Sequence, residues 1–212
     1  MRRGLALCAL AGAALAASPA LAQRNWASGD DRYHRHEGLF MRFDVGGGYL
    51  SAATSVNGSS GALSGAAGSF GFSLGGNVVE DLSLFAHVGI SFVSDPRNTL
   101  PGAQPTGGTT LTFAAVGPGL NYYFMPNNFY LSGMLLITRL TVADANNNVG
   151  STQAGFGAKV AAGKEWWVSD HWGMGIAAQL TLGINPDQDS GTGNPPTWTT
   201  ITPALAFSAS FN

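Results

Sequence analysis

Over residues 153–184, large apolar residues alternate with small or polar ones. Ala154, Phe156, Ala158, Val160 and Ala162 fall on one parity; Gly155, Gly157, Lys159, Ala161 and Gly163 fall on the other. Beyond a short polar turn at Ser169-Asp170-His171, the apolar parity resumes as Trp172, Met174, Ile176, Ala178, Leu180 and Leu182, against Gly173, Gly175, Gln179 and Thr181. A period of two is the signature of a strand, because successive side chains leave opposite faces of the backbone. The stretch therefore predicts a β-hairpin with one greasy face and one small or polar face. Indoles gather at its turn, at Trp166, Trp167 and Trp172.

The same alternation predicts strands over residues 39–50, 66–78, 82–94, 109–124, 129–142 and 198–211. Leu39, Met41, Phe43, Val45 and Tyr49 share the apolar face of the first, and Phe70, Phe72 and Leu74 that of the second. The third sets Leu82, Leu84, Ala86, Val88, Ile90 and Phe92 against Ser83, Phe85, His87, Gly89 and Ser91. In the fourth, Leu111, Phe113 and Ala115 are followed by Leu120, Tyr122 and Phe124 on the opposite parity. Gly117-Pro118-Gly119 lies between, so a β-bulge is expected there. Phe129, Leu131, Leu135 and Ile137 are the expected outward set of the fifth. Ile201, Leu205, Phe207, Ala209 and Phe211 mark the last strand, where Pro203 predicts a local irregularity for want of a donor.

Tight turns near residues 80, 127 and 170 alternate with Gly/Ser/Asn/Pro-rich loops near 57, 101, 147 and 191. Eight strands joined in this way predict an all-β, antiparallel, up-and-down arrangement with short turns at one end and long loops at the other. Composition decides which kind. Only 10% of the 212 residues are charged and 45% are hydrophobic, whereas an average soluble domain carries about 25% charge. No run beyond the N-terminus approaches the ~18–20 apolar residues of a membrane helix. Ten residues at ~3.4 Å, tilted by ~40°, rise about 26 Å, close to the ~25 Å apolar band of a membrane barrel. The prediction is an eight-stranded transmembrane β-barrel, closed because an open edge in lipid strands its N–H and C=O groups.

Arg2 and Arg3, the apolar stretch 5–17 and Ala20-Leu21-Ala22 read as a cleaved signal peptide. The expected divisions are signal peptide 1–22, a flexible polar lead-in 23–37 and the barrel 38–212. Cys8 falls in the signal peptide, so the mature chain has no thiol chemistry. Loss of Arg2 and Arg3 leaves a formal charge of about −4, which excludes a nucleic-acid footprint. His34, His36 and Glu37 have metal-ligand chemistry, but on a terminal tail they are expected to be solvated. No motif calls for a metal or a cofactor.

The chain from about residue 38 to 212 resembles the small eight-stranded outer-membrane barrels of Gram-negative bacteria, the outer-membrane protein A and X class. The resemblance is carried by Gly117-Pro118-Gly119-Leu120-Asn121-Tyr122-Tyr123-Phe124-Met125-Pro126, by Gly163-Lys164-Glu165-Trp166-Trp167-Val168-Ser169-Asp170 and by the terminal Phe207-x-Ala209-x-Phe211. It implies an outer-membrane location, contact with lipid and lipopolysaccharide, and a barrel-assembly signal at Phe207 and Phe211. Asn212 follows the final aromatic, where the class usually stops.

Within such a barrel Arg42, Asp44, His87, Lys159, Glu165 and Gln179 fall on inward parities. They are expected to fill the interior as ion pairs and hydrogen bonds, with Arg42 and Lys159 set against Asp44 and Glu165. Tyr122, Tyr123, Tyr130, Trp166, Trp167 and Trp172 are the expected interfacial belt. A serine–histidine enzyme is weighed against this. His87 and Ser91 stand four residues apart, too far for a direct bond, and His171 beside Ser169 and Asp170 reads as a turn. A non-enzymatic structural or surface-interaction role is expected, with no catalytic residue and an extracellular partner that the sequence does not name. A lipid A-modifying enzyme and a narrow solute channel are the alternatives.

Overall fold

A computed structural model describes residues 36–56, 58–100, 102, 107–146, 148–188 and 195–211. The expected signal peptide, residues 23–35 of the lead-in and Asn212 lie outside them. Among the described residues ten strands form: β1 (Leu39–Val56), β2 (Ser59–Val79), β3 (Leu82–Ser94), β4 (Arg97–Asn98), β5 (Thr110–Phe124), β6 (Phe129–Ala143), β7 (Val149–Ser151), β8 (Gly155–Trp167), β9 (Trp172–Pro186) and β10 (Thr197–Phe211). Eight of them make the wall. Every pairing is antiparallel in the order β1-β2-β3-β5-β6-β8-β9-β10, and β10 returns to β1 through Met41↔Phe211 to Ala53↔Thr199. The sheet is therefore a closed barrel. The short β4 and β7 only edge β2 and β6.

The alternation dictates the outward face. Val45, Leu135, Phe156, Leu205 and Phe207 are each more than 60% exposed on the isolated chain. A wall with such residues outward on every strand is a transmembrane wall, since water would have to solvate all of it. The tight turns at Glu80-Asp81, 125–128 and 168–171 all lie at one end. Asp81 and Asn128 adopt positive φ there, a conformation that Asp and Asn tolerate best after Gly.

Three expectations are corrected. The loop expected over 51–64 is strand: β1 and β2 pair without interruption from Leu39↔Gly76 to Val56↔Ser59. Small Ser, Ala and Gly residues read as loop, but here they alternate between an inward face with Ala52, Thr54 and Leu63 and an outward face with Ser51, Ala53 and Ser55. No bulge forms at Gly117-Pro118-Gly119. The β3–β5 register is continuous from Leu82↔Tyr122 to Ser94↔Thr110, so Leu111, Phe113 and Ala115 point inward and are buried. Pro118 costs only local bridges to β6, between Val116↔Ile137 and Gly119↔Met134. Gly117 lets the strands close there, because a Cβ would overlap the Leu135 carbonyl oxygen. Pro203 acts alike: bridges to β1 lapse between Gly48↔Ala204 and Ser51↔Ile201 with no change of register.

The third correction has a wider meaning. At the long-loop end the barrel interior turns from polar to apolar. Leu50, Ala52, Leu63, Ala67, Val93, Leu111, Phe113 and Leu140 form a buried cluster inside the barrel, with Leu100, Val142 and Trp198 packed against it. Outside, the small or polar Ser51, Ala53, Thr112, Arg139 and Thr141 stand among exposed apolar side chains, with Ile201 opposite Ser51 and Phe92 opposite Thr112. Toward that end the barrel encloses an apolar core while its outer face becomes mixed.

Candidate functional site

The six expected interior residues are all buried inside the barrel, each less than 9% exposed. They fall in two groups. Near the short turns, Arg42 (β1) meets Glu165 (β8) in an ion pair at 3.1 Å, and both side chains are sealed from water. Arg42 also donates to the Tyr123 hydroxyl at 2.7 Å, to Asn121 Oδ1 at 3.2 Å and to Ser132 Oγ at 3.4 Å. Glu165 Oε2 accepts from Tyr123 at 3.0 Å and from Ser210 at 2.7 Å. The guanidinium carbon lies 3.9 Å from the Tyr130 ring centroid, a cation–π contact. Inside a sealed barrel both charges need these partners, because an unpaired buried charge costs its full desolvation.

The second group sits at mid-height. Gln179 donates to Asp44 Oδ1 at 3.3 Å, and Ser73 Oγ lies 2.9 Å from His87 Nδ1. Lys159 makes no hydrogen bond or ion pair among the described residues; Asp44 is the acid whose field acts on it. The expected Lys159 pairing thus reduces to a longer-range one, while Arg42 takes Glu165. Between Asp44, His87, Lys159, Gln179 and Thr202 lies a cavity of about 20 Å³, room for about one water molecule. That is far below the ~300–1,000 Å³ of a small-molecule pocket. Above it comes the apolar cluster.

The belt is corrected at three positions, Tyr123, Tyr130 and Trp167, which lies on the inward parity with Glu165. Tyr122, Trp166 and Trp172 face outward, between 37% and 50% exposed, and Phe124 and Phe129 stand with them. Tyr123 and Tyr130 are at 0% and 2%, inside the barrel. The cause is parity: with Tyr122 and Phe129 outward, their neighbours Tyr123 and Tyr130 must point in. Trp167 is half-buried, 4.9 Å from the His36 ring. His36, expected in the flexible lead-in, is fully buried; it stacks on Tyr123 at 3.4 Å and 6° and bonds Asn128 Oδ1 at 2.8 Å. It closes the short-turn end beneath the Arg42–Glu165 pair.

Sequence reasoning missed Tyr123, Tyr130, Asn121, Ser132, Ser210, Ser73 and His36 as interior partners. Strict parity would have found all but His36. His171 stacks on Phe211 at 5.7 Å, and Ser169 Oγ accepts the Trp172 N–H at 3.2 Å, so that trio caps a turn. Phe207 projects outward from β10 and Phe211 packs edge-on against Trp172.

No family model and no curated protein matches the chain. Among solved structures it is similar to Neisserial surface protein A, at 16% identity over 84% of this chain and 98% of that one, TM-score 0.47. It is similar to Ail, the attachment invasion locus protein of Yersinia pestis, at 11% identity over 81% and 99%, TM-score 0.40. It is also similar to the outer membrane protein AlkL in lipid bilayers, at 13% identity over 88% and 94%, TM-score 0.47. The barrel assignment rests on this chain's own strand pairing.

Proposed function

We propose that this protein is an integral barrel of a bacterial outer membrane, exported by its N-terminal signal peptide, with a structural or surface-interaction role. It is not a wide pore, and its role is non-enzymatic. The observation that carries this reading is the filled interior. From the short turns upward, His36, the Arg42–Glu165 network, the Asp44–Gln179–His87–Lys159 layer and the apolar cluster succeed one another, and the cavity among them holds about one water. A narrow solute channel would need a polar, open path through the Leu111, Phe113 and Leu140 cluster. A lipid A-modifying enzyme would need an accessible nucleophile. The closest serine–histidine contact, Ser73 with His87, is sealed inside the wall with both residues at 1% exposure.

The surface left to act is the long-loop end, where the β1–β2 hairpin and the connections after β3, β6 and β9 emerge. Outer-membrane lipid and lipopolysaccharide surround the band. Tyr122, Trp166 and Trp172 supply the headgroup-level belt, and Phe207 and Phe211 on the closing strand are the signal for the barrel-assembly machinery. The folded barrel in planar bilayers is expected to give no steady conductance above the bare membrane; discrete open levels would overturn the reading.

A further inference from the structure

The outward positions of the eight wall strands carry a charge twice. Lys164 on β8 and Arg139 on β6 are both cations, and no acid shares that surface among the described residues. The two lie on adjacent strands. Lys164 is directly opposite Phe129 in the β6–β8 register, and Arg139 is ten residues further along β6. Ten residues at ~3.4 Å, tilted by ~40°, put the two cations about 26 Å apart along the barrel axis. Between them the outward positions are Leu131, Gly133, Leu135 and Ile137 on β6, and Phe156, Ala158, Val160 and Ala162 on β8. The charges bracket an uninterrupted apolar strip whose height equals a membrane's ~25 Å barrel band.

Each cation is held in place. The Lys164 ammonium lies 4.8 Å from the Phe129 centroid and 5.8 Å from that of Trp166, rings that confine it to the belt. Arg139 donates to Ser151 Oγ on β7 at 2.8 Å, which ties the exposed guanidinium to that strand and leaves it further N–H donors. At the two borders of a hydrocarbon layer, the anionic group on offer is the lipid headgroup phosphate.

We propose that Lys164 and Arg139 form a paired lipid-phosphate site on the β6–β8 face, each binding a headgroup phosphate of one leaflet and so fixing the barrel's depth. The proposal rests on the membrane reading above. The test uses the full chain with ¹⁵N-labelled Lys and Arg side chains, folded into vesicles of phosphatidylethanolamine and phosphatidylglycerol, where both borders meet phosphate. Dephasing of the Lys164 Nζ and Arg139 guanidinium signals by lipid ³¹P is expected. Lys164→Gln and Arg139→Gln should each abolish their own signal and lower the phospholipid retained through detergent extraction about fivefold, the factor that one interfacial cation contributes. A heat-modifiable, inserted barrel with no dephasing at either residue would overturn the proposal alone. Equal dephasing by inorganic phosphate in lipid-free micelles would replace it with a simple anion site. Failure to insert would overturn the membrane reading as well.

Discussion

Glu165→Gln tests the interior network at its most exacting point. The substitution keeps the shape of the side chain, and an amide oxygen can still accept from Tyr123 and Ser210. What it removes is the charge facing Arg42 at 3.1 Å. At an effective dielectric of ~20, that separation is worth about 5 kcal/mol of gross attraction. Removing one partner of a buried pair costs ~3–5 kcal/mol, because the other charge stays in low dielectric. Arg42 retains Asn121, Ser132, Tyr123 and the face of Tyr130, which argues for the lower end, about 3 kcal/mol. With a urea slope of ~2 kcal/mol per molar, the unfolding midpoint should fall by about 1.5 M. The assay is urea unfolding of the barrel in vesicles, read by the gel-mobility shift between folded and unfolded forms and by tryptophan fluorescence. Adding Arg42→Met, which leaves two neutral side chains, should recover a large part of the loss. A midpoint within 0.3 M (about 0.6 kcal/mol at that slope) of the parent would refute the claim that this pair is dry and uncompensated.

Two further outcomes are expected. Phe113→Ala empties the middle of the apolar cluster, where the ring is 1% exposed; it should cost about 3–5 kcal/mol in the same urea assay, and an unchanged midpoint would mean that the cluster is not packed. In the β6–β7 connection, hydrogen bonds from the Asn148 side chain and backbone hold the exposed Asp144 carboxyl below its ordinary range. A depressed folded pKa stabilises the loop above the unfolded value, and the contribution is lost as pH falls through the folded one. Asn148→Ala should therefore raise the Asp144 midpoint in a carboxyl ¹³C titration, and an unmoved midpoint would discount the side-chain bond.

Alternation was legible wherever one face is large and the other small. The outward sets of β1, β2, β3, β6, β8, β9 and β10 follow from it directly, because a strand has no freedom to turn successive side chains to the same side. So do the burial of Arg42, Asp44, His87, Lys159, Glu165 and Gln179, and the eight-strand count. At Leu111, Phe113 and Ala115 the rule of apolar-outward gave the wrong face. The unbroken register with β3 carries one parity through Gly117-Pro118-Gly119 and sends these three inside, and no local pattern states that continuity. Tyr123, Tyr130 and Trp167 were misjudged for the converse reason: aromatics at a turn look like a belt, while the fixed parity of their neighbours turns them inward.

The sequence by itself thus determined the barrel, its parity and its membrane-facing band, since these depend on residues one and two positions apart. Only the tertiary structure decided that Arg42 takes Glu165 while Lys159 is left with Asp44's field, that His36 plugs the base under Tyr123, and that Lys164 and Arg139 stand on one face a membrane's height apart. Those facts join residues tens of positions distant, and the stagger of eight tilted strands on closing sets which of them share a layer.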